Sequence, residues 1–419
     1  MTTGLSLLFL LGGLLPAPAG AQPLECEGRE ATIIGTEDRD ILIGTTGDDV
    51  IVALDGFDTI DSLGGNDVIC AGGGNDQVDG GDGDDEIYGG AGQDNLTGGP
   101  GADAIYGSDG FDRLYGGAGE DFLHGGPGWD HLFGEADDDR LVGSEGRCCG
   151  LVGLDELNGG DGDDLLDGSR AGGCVRFSSA VEVDLKAGTA TGEGMDTLIE
   201  IHCVESGPGT DVIRGSDSRD YLRGGGADDR IYGRGGNDHL VGGGSNSGDL
   251  LYGGKGDDLI HASEGADQLF GGAGDDELFG ESGEGDELSG GSGNDTLSDI
   301  GGGGVLDGGQ GRDLVWFRWE ATTIDLASGI ATDGDGIYRL ISIRDARGSS
   351  RDDTLRGNGR GNRLFGERGA DRLFGRGGSD FLDGGPGIDH LDGGPGRDEL
   401  DGGAGLDSCF NGETETACE

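Results

Sequence analysis

A nine-residue register runs through this chain and constrains what it can fold into. From Gly35 to Val142, twelve consecutive nonapeptides follow one template, G-G-x-G-x-D-x-U-x, where U is a large aliphatic residue. The sixth place is held by Asp40, Asp49, Asp58, Asp67, Asp76, Asp85, Asp94, Asp103, Asp112, Asp121, Asp130 and Asp139. The eighth is held by Leu42, Ile51, Ile60, Ile69, Val78, Ile87, Leu96, Ile105, Leu114, Leu123, Leu132 and Leu141. A fixed short period is the signature of a repeat architecture, in which each unit buries its apolar face only against its neighbours.

The nonapeptide has two halves. Glycine at places one, two and four permits tight turns and positive φ. Place three accepts proline at Pro100, Pro127, Pro386 and Pro395, as a turn does. The last three places, x-U-x, form a very short strand with one side chain inward and its neighbours outward. Stacked copies give an all-β solenoid with a thin aliphatic core.

Stacking also brings the place-six carboxylates close together, where they repel unless a cation joins them. Ca²⁺ takes six to eight oxygens from carboxylates and backbone carbonyls in flexible geometry, and a glycine-rich turn exposes its carbonyls. Mg²⁺ suits such a site less well, because it demands a small octahedral shell and keeps its waters. Transition metals are poorly served, since the repeats place no His or Cys at ligand spacing.

Runs such as Gly80-Gly81-Asp82-Gly83-Asp84-Asp85-Glu86-Ile87-Tyr88 and Gly116-Gly117-Ala118-Gly119-Glu120-Asp121-Phe122-Leu123-His124 resemble the RTX (hemolysin-type) calcium-binding nonapeptide repeat place for place. Repeats of that type build Ca²⁺-binding parallel β-helices. The resemblance implies a right-handed parallel β-roll with two nonapeptides per turn. It also implies multiple Ca²⁺ ions held between the turns of repeats i and i+2. It covers most of the chain.

Formal net charge is −57 on 419 residues, of which 100 are Gly. Low hydrophobicity with high charge is the composition of disorder, but disorder requires no aliphatic residue at every ninth place. Across the chain 31 Asp residues occupy place six. If each Ca²⁺ bridges repeats i and i+2, roughly 25 sites and about +50 charges follow, so the acidity reads mostly as a ligand inventory. Nucleic acid is excluded as a partner because no basic patch is present; Lys186 and Lys255 are the only lysines.

Residues 1–21 read as a secretory signal peptide: Leu5 to Leu15 is apolar, and Ala19-Gly20-Ala21 forms an A-x-A cleavage pattern. The apolar run is shorter than the ~20 residues that span a bilayer. The expected location is extracellular. Eight Cys, an even number, fit an oxidising compartment. Cys26–Cys70 and Cys409–Cys418 are expected as staples at the two ends. Cys148, Cys149, Cys174 and Cys203 leave three pairings open, with a metal–thiolate site as the alternative.

The register divides the chain. An N-terminal cap (22–34) precedes a first repeat block (35–167), which resumes after a break with Asp155 and Asp164. An insert (168–205) leads to a second block (206–316) with Asp211, Asp220, Asp229, Asp238, Asp249, Asp258, Asp267, Asp276, Asp286, Asp295 and Asp313 at place six. One repeat there carries Gly304 where Asp belongs. A second insert (317–347) precedes a third block (348–410) with Asp353, Asp371, Asp380, Asp389, Asp398 and Asp407, Asn362 substituting once; a C-terminal cap (411–419) follows. The inserts are copies: Val183-Asp184-Leu185 matches Ile324-Asp325-Leu326. They resemble the V-D-L segments that join repeat blocks in large RTX proteins, and alternation predicts strands. One continuous solenoid and three separate rolls are both open.

Catalysis finds little footing. The residues outside the repeats leave no room for a separate globular domain. Five of six His (His124, His131, His239, His261, His390) sit at outward places seven or nine, and His202 beside Cys203 suits an oxidised Cys better than a dyad. No G-x-S-x-G elbow, P-loop or H-E-x-x-H occurs. The expectation is a secreted Ca²⁺-binding protein of structural or surface role. The alternative is a polysaccharide- or cell-surface-binding module using the place-nine aromatics, among them Tyr88, Tyr106, Tyr115 and Phe133, against which stands simple packing of rings along a sheet. A carbohydrate-modifying enzyme stands third.

Overall fold

The computed structural model describes residues 24–143, 156–161, 164–168, 174–192, 194–283 and 285–418. The signal segment, Cys148, Cys149 and Asp155 lie outside them. The described residues form strands and turns, with no helix among them. Two compact units divide at 205/206.

In the first unit, place eight of each repeat pairs in parallel register with place eight two repeats on. Ile69 faces Ile87, Ile87 faces Ile105, Ile105 faces Leu123 and Leu123 faces Leu141. The intervening repeats build the opposite sheet, with Val78, Leu96, Leu114, Leu132 and Leu157 in line. Two nonapeptides therefore make one turn of a parallel β-solenoid. Its core is these two rows, and from Ile87 to Leu141 every member is fully buried. Each such side chain contributes about 1.5–3 kcal/mol of burial. In several repeats the strand runs through the glycines, as in Glu86–Gly92 and Ala104–Gly110, so the turns are themselves laddered.

The second unit repeats the plan. Ile213, Ile231, Leu251, Leu269, Leu288 and Leu306 form one row. Where a repeat is longer than nine, the surplus leaves the ladder. Ser245–Ser247 forms a small outlying pair with Glu264–Gly265, while Leu240 still faces Ile260.

Both inserts are antiparallel excursions of three strands. Glu182–Asp184, Thr189–Thr191 and Met195–Ile199 form the first; Thr323–Asp325, Ile330–Thr332 and Ile337–Ile341 the second. Each third strand rejoins the parallel ladder, Leu198 on Leu166 and Leu340 on Leu306. The Asp shared by the two copies caps its hairpin: Asp184 Oδ1 accepts the Ala187 N–H, and Asp325 Oδ1 those of Ala327 and Ser328. Gly188 and Gly329 sit in these turns at φ +72° and +70°, which glycine adopts without strain.

Disulfides join Cys26 to Cys70 and Cys409 to Cys418, the two expected pairs. Cys26 lies on a short hairpin over Val52 and Val68 and closes that end of the core. Cys174 pairs with Cys203 on adjacent parallel strands, so the metal–thiolate alternative fails for these two.

A buried carboxylate ladder as the candidate metal centre

The solenoid pitch determines what the place-six aspartates do. The strand that follows each of them stacks on its equivalent one turn away, so the aspartates stack too. Asp40 donates its backbone N–H to Asp58 Oδ1 at 2.8 Å, Asp58 to Asp76 at 2.7 Å, and Asp76 to Asp94 at 2.8 Å. The second row does the same from Asp49 through Asp67, Asp85 and Asp103 to Asp121. In the other unit Asp220 leads through Asp238, Asp258 and Asp276 to Asp295 and Asp313. Asp211, Asp229, Asp249, Asp267 and Asp286 form its companion row. Asp353, Asp371, Asp389 and Asp407 form a third such run, and Asn362, Asp380 and Asp398 a fourth. Asp112 likewise receives Asp94 and gives to Asp130, and Asp139 gives to Asp164. All described candidates are buried.

One oxygen of each carboxylate is thus used; the other separates the turns into two kinds. Place two is left-handed at Leu54, Leu63, Glu135 and Arg376 and at glycines such as Gly81 and Gly90, and the Gly81 N–H is spent on the Gly98 carbonyl at 2.9 Å. Oδ2 of Asp58, Asp67, Asp139, Asp380, Asp85 and Asp94 is then buried with no hydrogen-bond partner. Where place two is Thr36, Thr45, Ser216 or Ser349, no positive φ occurs. Its N–H and hydroxyl then close on Oδ2 of Asp40, Asp49, Asp220 or Asp353, at 2.5 and 2.8 Å in the first case and 2.6 and 3.1 Å in the last. Asn358 serves Asn362 in the same way. These self-satisfied turns stand at the start of the repeat blocks.

A buried carboxylate without a partner resists ionisation. Burial pushes Asp94 up to about 7, against the lowering N–H bond from Asp76, with Asp112 and Asp76 adding repulsion. Asp139 and Asp229 rise to about 8 for the same reasons.

A hard cation answers this arrangement. A Cβ on Gly80 would stand 2.6 Å from Asp85 Oδ2 and 2.7 Å from the Gly98 carbonyl oxygen of the next turn. Gly89 sits likewise between Asp94 Oδ2 and the Gly107 carbonyl, at 2.7 and 2.8 Å. Glycine at place one therefore keeps open a cradle walled by a carboxylate and a carbonyl oxygen, the donor types Ca²⁺ takes. Among the described residues no three His, Cys, Asp or Glu side chains converge as a metal-holding group. Any cation in these turns is held largely by backbone.

The sequence reading missed three features. Place five carries a second, exposed ladder: Asp48 accepts the Asn66 N–H, Asn66 that of Asp84, and Asp84 that of Ala102. Its signal was the frequency of Asp and Asn there. Residues outside the register continue the buried ladder: Asp196 accepts from Asp164, and Glu413 accepts from the Asp398 N–H. Finally, Asp299 lies buried near Asp286. The place-nine rings stack on one another one turn apart, Tyr88 on Tyr106 at 4.8 Å and Tyr115 on Phe133 at 5.0 Å, so their faces are largely occupied by each other.

The profile of the RTX calcium-binding nonapeptide repeat matches residues 34–69, 43–78, 71–105, 106–141, 150–170, 205–240, 243–278, 252–285, 347–382 and 383–413. These matches cover more than half of the chain and fall on the laddered turns. No curated protein matches it significantly.

Proposed function

The chain belongs to the RTX calcium-binding nonapeptide repeat family, and on that premise we propose that it is a secreted protein whose solenoid is completed by many Ca²⁺ ions outside the cell. The observation that carries this reading is the row of buried, partnerless Oδ2 atoms facing glycine cradles, at Asp85, Asp94, Asp103, Asp112, Asp121 and Asp139 and again at Asp229, Asp238, Asp258, Asp276, Asp295, Asp313, Asp371, Asp380, Asp389, Asp398 and Asp407. Unfolded chain presents no such cradles, so binding favours the folded state by linkage. Extracellular modules of this ligand type fill at about 10⁻⁴–10⁻³ M Ca²⁺. Export before folding suits such a chain, since cytosolic Ca²⁺ is too low to fold it. The apolar segment of residues 1–21 and the three disulfides among the described residues support an oxidising, extracellular destination. The role is structural rather than catalytic.

Circular dichroism during a Ca²⁺ titration, with Mg²⁺ as control, tests this. A cooperative gain of β-structure near millimolar Ca²⁺, absent with Mg²⁺, is expected. A spectrum equally β-rich in chelator, with no heat of Ca²⁺ binding, overturns the reading.

A further inference from the structure

The repeat at Asp299–Asp307 breaks the pattern in two places at once. Place six is Gly304, and place one, normally Gly, Ala or Ser, is Asp299. These departures are linked. A place-six carboxylate lies against the place-one Cα of its own repeat, so a large side chain at place one is excluded wherever place six is Asp. With Gly304 at place six that space is empty, and Asp299 occupies place one.

The relocated carboxylate has no hydrogen-bonding partner but the Ile300 N–H and the Asp286 carboxylate beside it. Asp299 is 1% exposed, and neither of its oxygens has one of normal geometry. Asp286, one turn earlier, is 0% exposed; its Oδ1 accepts the Asp267 N–H at 2.8 Å and its Oδ2 has no partner. The two converge. A Cβ on Gly280 would stand 2.7 Å from Asp286 Oδ2 and 2.8 Å from Asp299 Oδ1. The ladder shifts register between Phe279 and Ser282, at this point. Tyr338 covers the turn, accepting the Gly301 N–H and donating to Asp333 Oδ2, both at 2.9 Å. A cavity of about 340 Å³ reaches Ile300 and Gly301, next in sequence to Asp299; its lining sets Glu320, Asp333 and Asp335 against Arg318, a net negative charge that favours cations.

We propose that Asp286 and Asp299 form a two-carboxylate Ca²⁺ site, distinct in its ligand set from the one-carboxylate turns. The cation's identity rests on the calcium reading above. The ladder turns described above offer at most one free carboxylate oxygen with carbonyls. This one offers oxygens from two carboxylates, and two buried negative charges side by side persist only with a positive charge or a proton between them.

Asp299→Asn separates these two cases, because it keeps the shape and removes one charge. With a cation site, the substitution lowers the unfolding midpoint in saturating Ca²⁺ and leaves it unchanged or raised in EGTA. With a shared proton only, the midpoint moves the same way in both, and the proposal falls. Diffraction from crystals of the wild-type chain soaked in Tb³⁺ gives the second readout. An anomalous peak between Asp286 and Asp299 is expected. Tb³⁺ in the place-six turns but not there overturns this inference alone. Tb³⁺ at neither overturns it together with the calcium reading.

Discussion

One carboxylate oxygen per repeat separates turns that leave it buried without a partner from turns that satisfy it. At Asp94 the Oδ2 is buried and partnerless, while at Asp353 the Ser349 N–H and hydroxyl bond to it. The two sites respond oppositely to substitution. Asp94→Asn keeps the acceptor for the Asp76 N–H and removes the uncompensated charge. It raises the unfolding midpoint in chelator and lowers the gain from added Ca²⁺, as thermal melts in EGTA and in millimolar Ca²⁺ measure. Ser349→Ala removes a hydroxyl from Oδ2 and costs about 1 kcal/mol in chelator, read by urea denaturation.

At the scale of the strand, stability comes from two rows of aliphatic side chains one residue wide. Leu123 packs between Ile105 and Leu141 in its row, all fully buried. Leu123→Ala opens a cavity with nothing to collapse into it and costs about 2–5 kcal/mol, measured by denaturant unfolding in saturating Ca²⁺. Turn glycines are equally constrained. Gly90 has φ +104°, and a Cβ there would lie 1.9 Å from the Gly72 carbonyl oxygen of the previous turn. Gly90→Ala therefore forces adjacent turns apart, and amide exchange of the Glu86–Gly92 strand rises above that of strands several turns away.

For the whole chain, −57 charges and a core of single file set the terms of folding. The buried aspartates titrate upward, from the ordinary 3.8 to about 6 at Asp112, about 7 at Asp85 and about 8 at Asp229. Folded, cation-free chain then binds more protons than unfolded chain between these limits. Its stability is fully present below about pH 4 and is lost as pH rises through 6 to 8. Ca²⁺ reverses the trend, because it binds the ionised form. Melting in EGTA at pH 5 and pH 8 is expected to show the higher midpoint at pH 5, and melting in Ca²⁺ the opposite order.

Much of this was legible in residue order alone. Period nine, with Asp at place six and an aliphatic at place eight, dictated strand placement and the buried aliphatics, because a solenoid turn repeats one local pattern; the family resemblance it carries implied two nonapeptides per turn. The end disulfides followed from Cys26 and Cys70 lying at the first turns and Cys409 and Cys418 bracketing the C-terminal tail. What the tertiary structure decided lies across turns. In most turns, whether Oδ2 of an aspartate is satisfied follows the φ of place two, left-handed at Glu135 and not at Thr45, though neither is glycine. That Asp299 stands beside Asp286 depends on a register shift between stacked strands. Sequence spacing records neighbours along the chain; the burial and charge of a carboxylate are decided by what the next turn places against it.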